Sequence, residues 1–182
     1  MASRVRATIE DLYKIAEKAE LVNGEIVIMS PTGIDPKFAA DEIFFSLRIH
    51  VKRTGTGRAV ADNAAFRVHL PNRGSFSPDT AYYSKPASGM KFFEGAPDFA
   101  VEVRSEGDYG PKAEKDMAEK RADYFAAGTL VVWDVDLLSE DVIKAYTTAN
   151  PMSADVFRRG DTATAEPAVP GWAMPVDDLF AP

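Results

Sequence analysis

No cysteine occurs among the 182 residues. That excludes disulfides, thiolate metal sites and a cysteine nucleophile. Histidine is nearly as scarce: His50 and His69 are the only two, too few for a multi-histidine zinc site. No apolar run approaches the ~18 residues of a membrane span. The opening "MASRVRATIEDLYK" lacks the apolar stretch of a secretory signal. The expectation is a cytoplasmic protein with no membrane partner. Positive charge is also short, with 21 Lys and Arg against 28 Asp and Glu and a net charge of −7. A broad, non-specific nucleic-acid surface does not fit that balance, although a local basic groove does.

What is present is the composition of an ordinary globular chain, 46% hydrophobic and 27% charged, long enough for one domain with a real core over 1–182. "TIEDLYKIAEKAE" predicts a first helix over 8–20, with Thr8 as N-cap and Asp11 three residues on. "ELVNGEIVIMS" predicts a hairpin around Asn23-Gly24, a pair that tolerates the positive φ of a type I′ turn. "PKFAADEIFFSLRIHVKRTG" predicts a long helix opened by Pro36 and ended by Gly55. Its apolar stripe is Ala39, Ile43, Leu47 and Val51. Strands are expected in "GRAVAD", "NAAFRVHL", "SPDTAYYS" and "PDFAVEVRS". A second long helix, "PKAEKDMAEKRADYFAAG", follows, and then "TLVVWDVD", apolar enough for a strand covered on both faces. "DVIKAYTT" and "DVFRRG" complete the strand candidates, before a closing "VPGWAMPVDDLF". Strands and helices alternate around 97–136, so the fold class is α/β with a mixed sheet.

Two Pro-Asp pairs precede strands, at Asp79 and Asp98. In "DFAVEVRS" Asp98, Ala100, Glu102 and Arg104 share one face, and Phe99, Val101 and Val103 the other. Asp98 and Glu102 are roughly 13 Å apart along the strand, too far to share an ion, whereas a neighbouring strand lies only about 4.8 Å away. If the two strands pair, Asp79 is the partner of Glu102, and Asp98 is a strand-entry residue. Glu102 equally suits a structural ion pair with Arg104 or a lysine. On the second long helix Asp116, Lys120 and Asp123 or Tyr124 share a face, and periodicity alone favours a Lys120–Asp116 salt bridge.

Asp79 in "SPDTAYYS", Glu102 in "PDFAVEVRS" and the run "KDMAEKRADYFAAGTLVVWDVD" together resemble the PD-(D/E)XK nuclease superfamily, in its Uma-type, restriction-endonuclease-like branch. "ELVNGEIVIMSPTG", "ADNAAFRVHL" and "VPGWAMPVDDLF" extend the resemblance over nearly the whole chain, in order. It implies a restriction-endonuclease-like fold: a mixed central sheet flanked by helices, with an N-terminal hairpin. It also implies Mg²⁺ or Mn²⁺ held by Asp79, Glu102 and the backbone carbonyl of Val103, and hydrolysis of DNA. The superfamily's lysine two residues after the glutamate is here Arg104; the branch takes its lysine from the next helix, at Lys120, which the resemblance implies orients the attacking water or stabilises the transition state. Arg104 can hold a phosphate but cannot act as a base. Some members carry a histidine where Pro36 stands; Asp41 and Glu42 suit a solvated helix face, with a further carboxylate as the alternative.

Lys52, Arg53, Arg58, Arg67, Arg73, Arg158 and Arg159 are the candidate phosphate contacts, with solvated surface charge the competing reading for most of them, and they lack the aromatic-basic interleaving of a single-strand binder. A homodimer would bring two modest basic patches together. Two rival readings share this fold: a catalytically silent binding or scaffold module, which the pI near 4.9 fits somewhat better, and another metal-dependent phosphoesterase.

Overall fold

The computed structural model describes residues 6–180. Helix α1 (Ile9–Leu12) starts as expected, with a reciprocal capping box between Thr8 and Asp11. It is a single turn, however, and does not run on to Glu20. The segment 19–22 is strand β1 (Ala19–Val22), paired with β2 (Glu25–Ile28) across the Asn23-Gly24 turn. Both turn residues have positive φ, 53° and 76°. The strand wins over the helix because alternation sends Ala19 and Leu21 into a small core with Leu12 and turns Glu20 the opposite way.

Helix α2 (Ile34–Thr54) begins two residues before Pro36. Proline is tolerated there because the first-turn amides have no intrahelical partner. Gly55 ends the helix in the left-handed region, at φ 71°. The expected stripe of Ala39, Ile43, Leu47 and Val51 is buried.

The strands that follow are β3 (Arg58–Val60), β4 (Phe66–Arg67), β5 (Ser75–Phe76), β6 (Thr80–Tyr83), β7 (Phe93–Glu94) and β8 (Phe99–Val103). Helix α3 (Pro111–Ala126) leads to β9 (Val131–Val135), β10 (Ile143–Thr147), β11 (Asp155–Phe157), β12 (Thr162–Thr164) and β13 (Ala173–Pro175). A 3₁₀ turn at Val176–Leu179 closes the described chain. The central sheet has the order β11-β10-β9-β8-β6-β3. β8 and β9 are parallel, joined through α3, while the other neighbours are antiparallel. The expected strand at 63–70 is reduced to β4. It belongs to a separate three-stranded sheet with β5 and β7. Among the described residues no helix is long and apolar enough to cross a membrane.

The sheet separates two cores. On one side Phe99, Val101, Val103 and Trp133 pack with α2 and the C-terminal segment. On the other, Ala81, Ala100 and Val132 meet Tyr124 of α3 and Phe66 and Phe76 of the small sheet. Ala81 and Ala100 are cross-strand partners, and their small side chains let the Tyr124 ring come down onto the sheet.

The β1 arm is seated by three hydrogen bonds: Leu21 N–H to Ser75 Oγ (2.9 Å), Gly74 N–H to the Leu21 carbonyl (2.8 Å) and Asn23 N–H to the Asn72 carbonyl (2.7 Å). Gly74 permits this approach, because a Cβ there would lie 2.6 Å from the Leu21 side chain. Gly74→Ala is therefore expected to cost about 1–3 kcal/mol by overpacking. Urea unfolding measures this, and a midpoint equal to wild type would show that Leu21 yields freely.

Candidate active site

The register between β6 and β8 sets Thr80 opposite Val101 and Ala81 opposite Ala100. Asp79 immediately precedes β6, and its amide donates to the Val101 carbonyl (3.1 Å). Asp79 and Glu102 thus come from neighbouring strand segments, and the Asp79 charge acts on the Glu102 carboxyl. Asp98 does something else: its carboxylate accepts the Ser84 amide (2.6 Å) and its own amide donates to Tyr82, tying down the start of β8. The Val103 amide donates to Asp79 Oδ2 (2.8 Å), whereas the next amide, Arg104, goes to Val135 in β9. A strand residue points its N–H and C=O to the same side, so the Val103 carbonyl faces Asp79 as well.

Helix α3 completes the arrangement from above. The Lys120 ammonium lies 2.8 Å from Glu102 Oε1 and 2.9 Å from Glu20 Oε1. The Tyr124 hydroxyl donates to Glu102 Oε1 (2.6 Å). Lys120 and Tyr124 are one helical turn apart and grip the same carboxylate. The Lys120–Asp116 bridge favoured by periodicity does not form; Asp116 takes Lys112 instead.

Two site residues are invisible to motif reading. Glu20 is almost wholly buried, and it accepts from Arg73 (2.6 Å) and the Ser77 amide (2.8 Å) besides Lys120. The Lys18 ammonium sits 2.6 Å from Asp79 Oδ1 and 2.6 Å from Asp62 Oδ1. The signal for Glu20 was present: a carboxylate alternating with Ala19 and Leu21, the same pattern that singles out Glu102.

The electrostatics follow from this crowding. Burial pushes the Glu102 carboxyl above its ordinary range; Asp79 and Glu20 push it further, and Lys120 and Lys18 offset this only in part. Burial works the same way on Glu20, but Lys120, Arg73 and the Ser77 amide outweigh it and hold that carboxyl down. For Lys120 burial opposes the charged form, yet Glu102 and Glu20 keep its ammonium above the usual lysine value. Lys18 is raised against burial by Asp79 and Glu102. Burial, with Glu102 and Glu20 nearby, sends the Tyr124 phenol well up, so it remains a donor.

Among the described residues no three His, Cys, Asp or Glu side chains converge closely enough to form an ion cage by themselves. Mg²⁺ does not require one: it is held through one or two carboxylates while keeping several waters. Carboxylate oxygens and backbone carbonyls are the hard donors that Mg²⁺ and Mn²⁺ take.

The model of the Uma2 family, described as "Putative restriction endonuclease", matches residues 8–177. The chain belongs to the Uma2 family. Its fold is similar to that of a crystal structure described as "a putative nuclease belonging to DUF820" from Anabaena variabilis, with a TM-score of 0.74 and 18% identity. That match covers 95% of this chain and 97% of the other. No curated protein matches.

In this Uma2 chain the position two residues after the glutamate is not a vacant phosphate anchor. Arg104 is buried; it binds Asp134 through Nε and Nη2 (2.8 Å each) and also Glu114. Arg73 is likewise committed, to Glu20 and Asp123, and is buried away from any phosphate at the surface. Arg67 pairs with Glu94, Arg158 with Asp141 and Arg159 with Asp177. Arg58 donates to the Lys85 carbonyl. Lys52 and Arg53 are exposed at the end of α2. Asp41 pairs with Lys37 on the helix surface.

Proposed function

We propose that the chain is a divalent-cation-dependent endonuclease that hydrolyses DNA phosphodiester bonds, with Asp79, Glu102 and the Val103 carbonyl as ion ligands. Support rests on one observation above all: the Asp79 carboxylate accepts the amide of Val103, the residue next to Glu102 (2.8 Å), with the Lys120 ammonium 2.8 Å from Glu102. A bound Mg²⁺ or Mn²⁺ would acidify a water and offset charge on the scissile phosphate.

The remaining work falls to side chains. Lys120 stays protonated, so it is a donor and a fixed positive charge rather than a base, and in this reading it meets the charge that builds on the phosphate oxygens. Glu20 and Glu102 pin its ammonium from two sides and save the cost of orienting it during reaction. Tyr124 and Lys120 hold Glu102 in one rotamer. Asp79 is held by the Val103 amide, which ties the two ligand strands together. Cutting both strands of a duplex needs two such sites, which a homodimer supplies.

The test is cleavage of supercoiled plasmid by purified protein. Wild type is expected to nick DNA with Mg²⁺ or Mn²⁺ and not with EDTA. Lys120→Met should lower the rate by about 10²–10³-fold, the usual loss for one preorganised donor, yet still show a metal-induced rise in melting temperature. Wild type with neither metal-dependent nicking nor a thermal shift would sink the proposal and leave a binding module.

A further inference from the structure

We infer that Lys18 sets how tightly the site takes a divalent cation, by holding the Asp79 oxygen that an ion would need. The inference rests on the reading of Asp79 as an ion ligand. Both Asp79 oxygens are engaged. Oδ2 accepts the Val103 amide (2.8 Å), and Oδ1 carries the Lys18 ammonium at 2.6 Å. The first bond can persist when an ion binds, since it leaves Oδ1 to coordinate. The second cannot, because two cations do not share one carboxylate oxygen without strong repulsion.

Lys18 has somewhere to go. Its ammonium also touches Asp62 at 2.6 Å, so release from Asp79 leaves it paired. Without that second carboxylate the exchange would strand a largely buried charge, a costly outcome. The side chain is only 14% exposed, and its two partners come from separate segments, one before β4 and one before β6. Lys18 and Glu20 lie two residues apart on one face of the β1 arm. The arm therefore contributes an ammonium to Asp79 and a carboxylate to Lys120. Lys18 is a positioning residue here, a resident cation traded for a divalent one.

The experiment measures Mn²⁺ binding to the full chain at neutral pH, by calorimetry and by the electron-spin-resonance signal of free Mn²⁺, with no DNA present. Lys18→Met is expected to tighten Mn²⁺ on the order of tenfold, with Lys18→Gln as a second neutral replacement. Lys18→Arg, which keeps the charge, should stay near wild type. Asp62→Asn removes the second seat and should weaken Mn²⁺, but much less in a Lys18→Met background, a coupling that a double-mutant cycle reads directly.

Unchanged or weaker binding in Lys18→Met, with clear binding in wild type, overturns the role of Lys18 and leaves the ion site standing. Tightening that survives Asp79→Asn also overturns it, since the ion would then sit elsewhere. If neither neutral variant folds, Asp62→Asn decides: affinity equal to or tighter than wild type is the refuting result. Absence of Mn²⁺ binding in wild type and every variant refutes the ion site itself, and this inference with it.

Discussion

Glu102→Gln is expected to abolish metal-dependent DNA cleavage and the metal-induced thermal shift together, while the metal-free protein melts no lower than wild type at neutral pH. The two halves have one cause. Glu102 is a desolvated carboxylate crowded by Asp79 and Glu20, and its folded pKa lies above the ordinary value of 4.5. Folding therefore favours its protonated form. That contribution to stability is complete below about pH 4.5 and is lost as pH rises through the folded pKa. A neutral glutamine keeps it at every pH, and the Tyr124 hydroxyl can still donate to the amide oxygen. What glutamine lacks is the anionic ligand.

The same sign predicts that Mn²⁺ affinity of wild type climbs with pH as the proton leaves Glu102, and that this climb flattens in Glu102→Gln. Calorimetric titrations at several pH values, with parallel melting curves, check each part. A variant that still binds Mn²⁺ with wild-type affinity would remove Glu102 from the ligand set. Asp79→Asn should lose the metal response too. It differs in that the Val103 amide bond can remain, so β6 and β8 stay in register.

Arg104→Ala is expected to cost about 3–5 kcal/mol of stability, the penalty of breaking a buried pair from one side. Asp134, on the central strand β9, is 3% exposed, and Arg104 neutralises it through two parallel hydrogen bonds of 2.8 Å. Removing the guanidinium leaves Asp134 charged in the interior beside Glu102, its parallel-strand partner. Arg104→Lys should recover part of the loss, because an ammonium restores the charge but not the bidentate geometry. Glu114→Ala, on the exposed side of the same cluster, should cost about 1 kcal/mol or less. Urea unfolding of the three variants ranks them. A loss under about 1 kcal/mol in Arg104→Ala would mean that Asp134 finds solvent or another partner once the guanidinium goes. This role differs from that of the lysine usual at this position: here the residue stabilises the sheet and is not spare to grip a phosphate.

Much of the fold was legible before any coordinates. Gly55 and Asn23-Gly24 stop or turn the chain for local steric reasons, so they act the same way in any context. Alternation in 98–104 assigned each residue to a face because a strand has a period of two whatever covers it. "TIEDLYKIAEKAE" carries helical propensity throughout, yet only its first turn is helical, because burial of Ala19 and Leu21 overrides that weak preference.

The sequence by itself determined the α/β class and the core faces of α2 and β8. Those depend on spacings of a few ångströms set by backbone geometry. Tertiary structure alone decided where the long side chains go. Lys120 could reach Asp116 on its own helix or carboxylates on two strands beneath it, and only the seating of α3 on Ala100 and Val132 made the second choice. Arg104, Arg73 and Lys18 were decided likewise, by carboxylates that lie 30 or more residues away in the chain. A flexible charged side chain has many partners within its reach, and local periodicity carries no information about which distant one the packing will bring there.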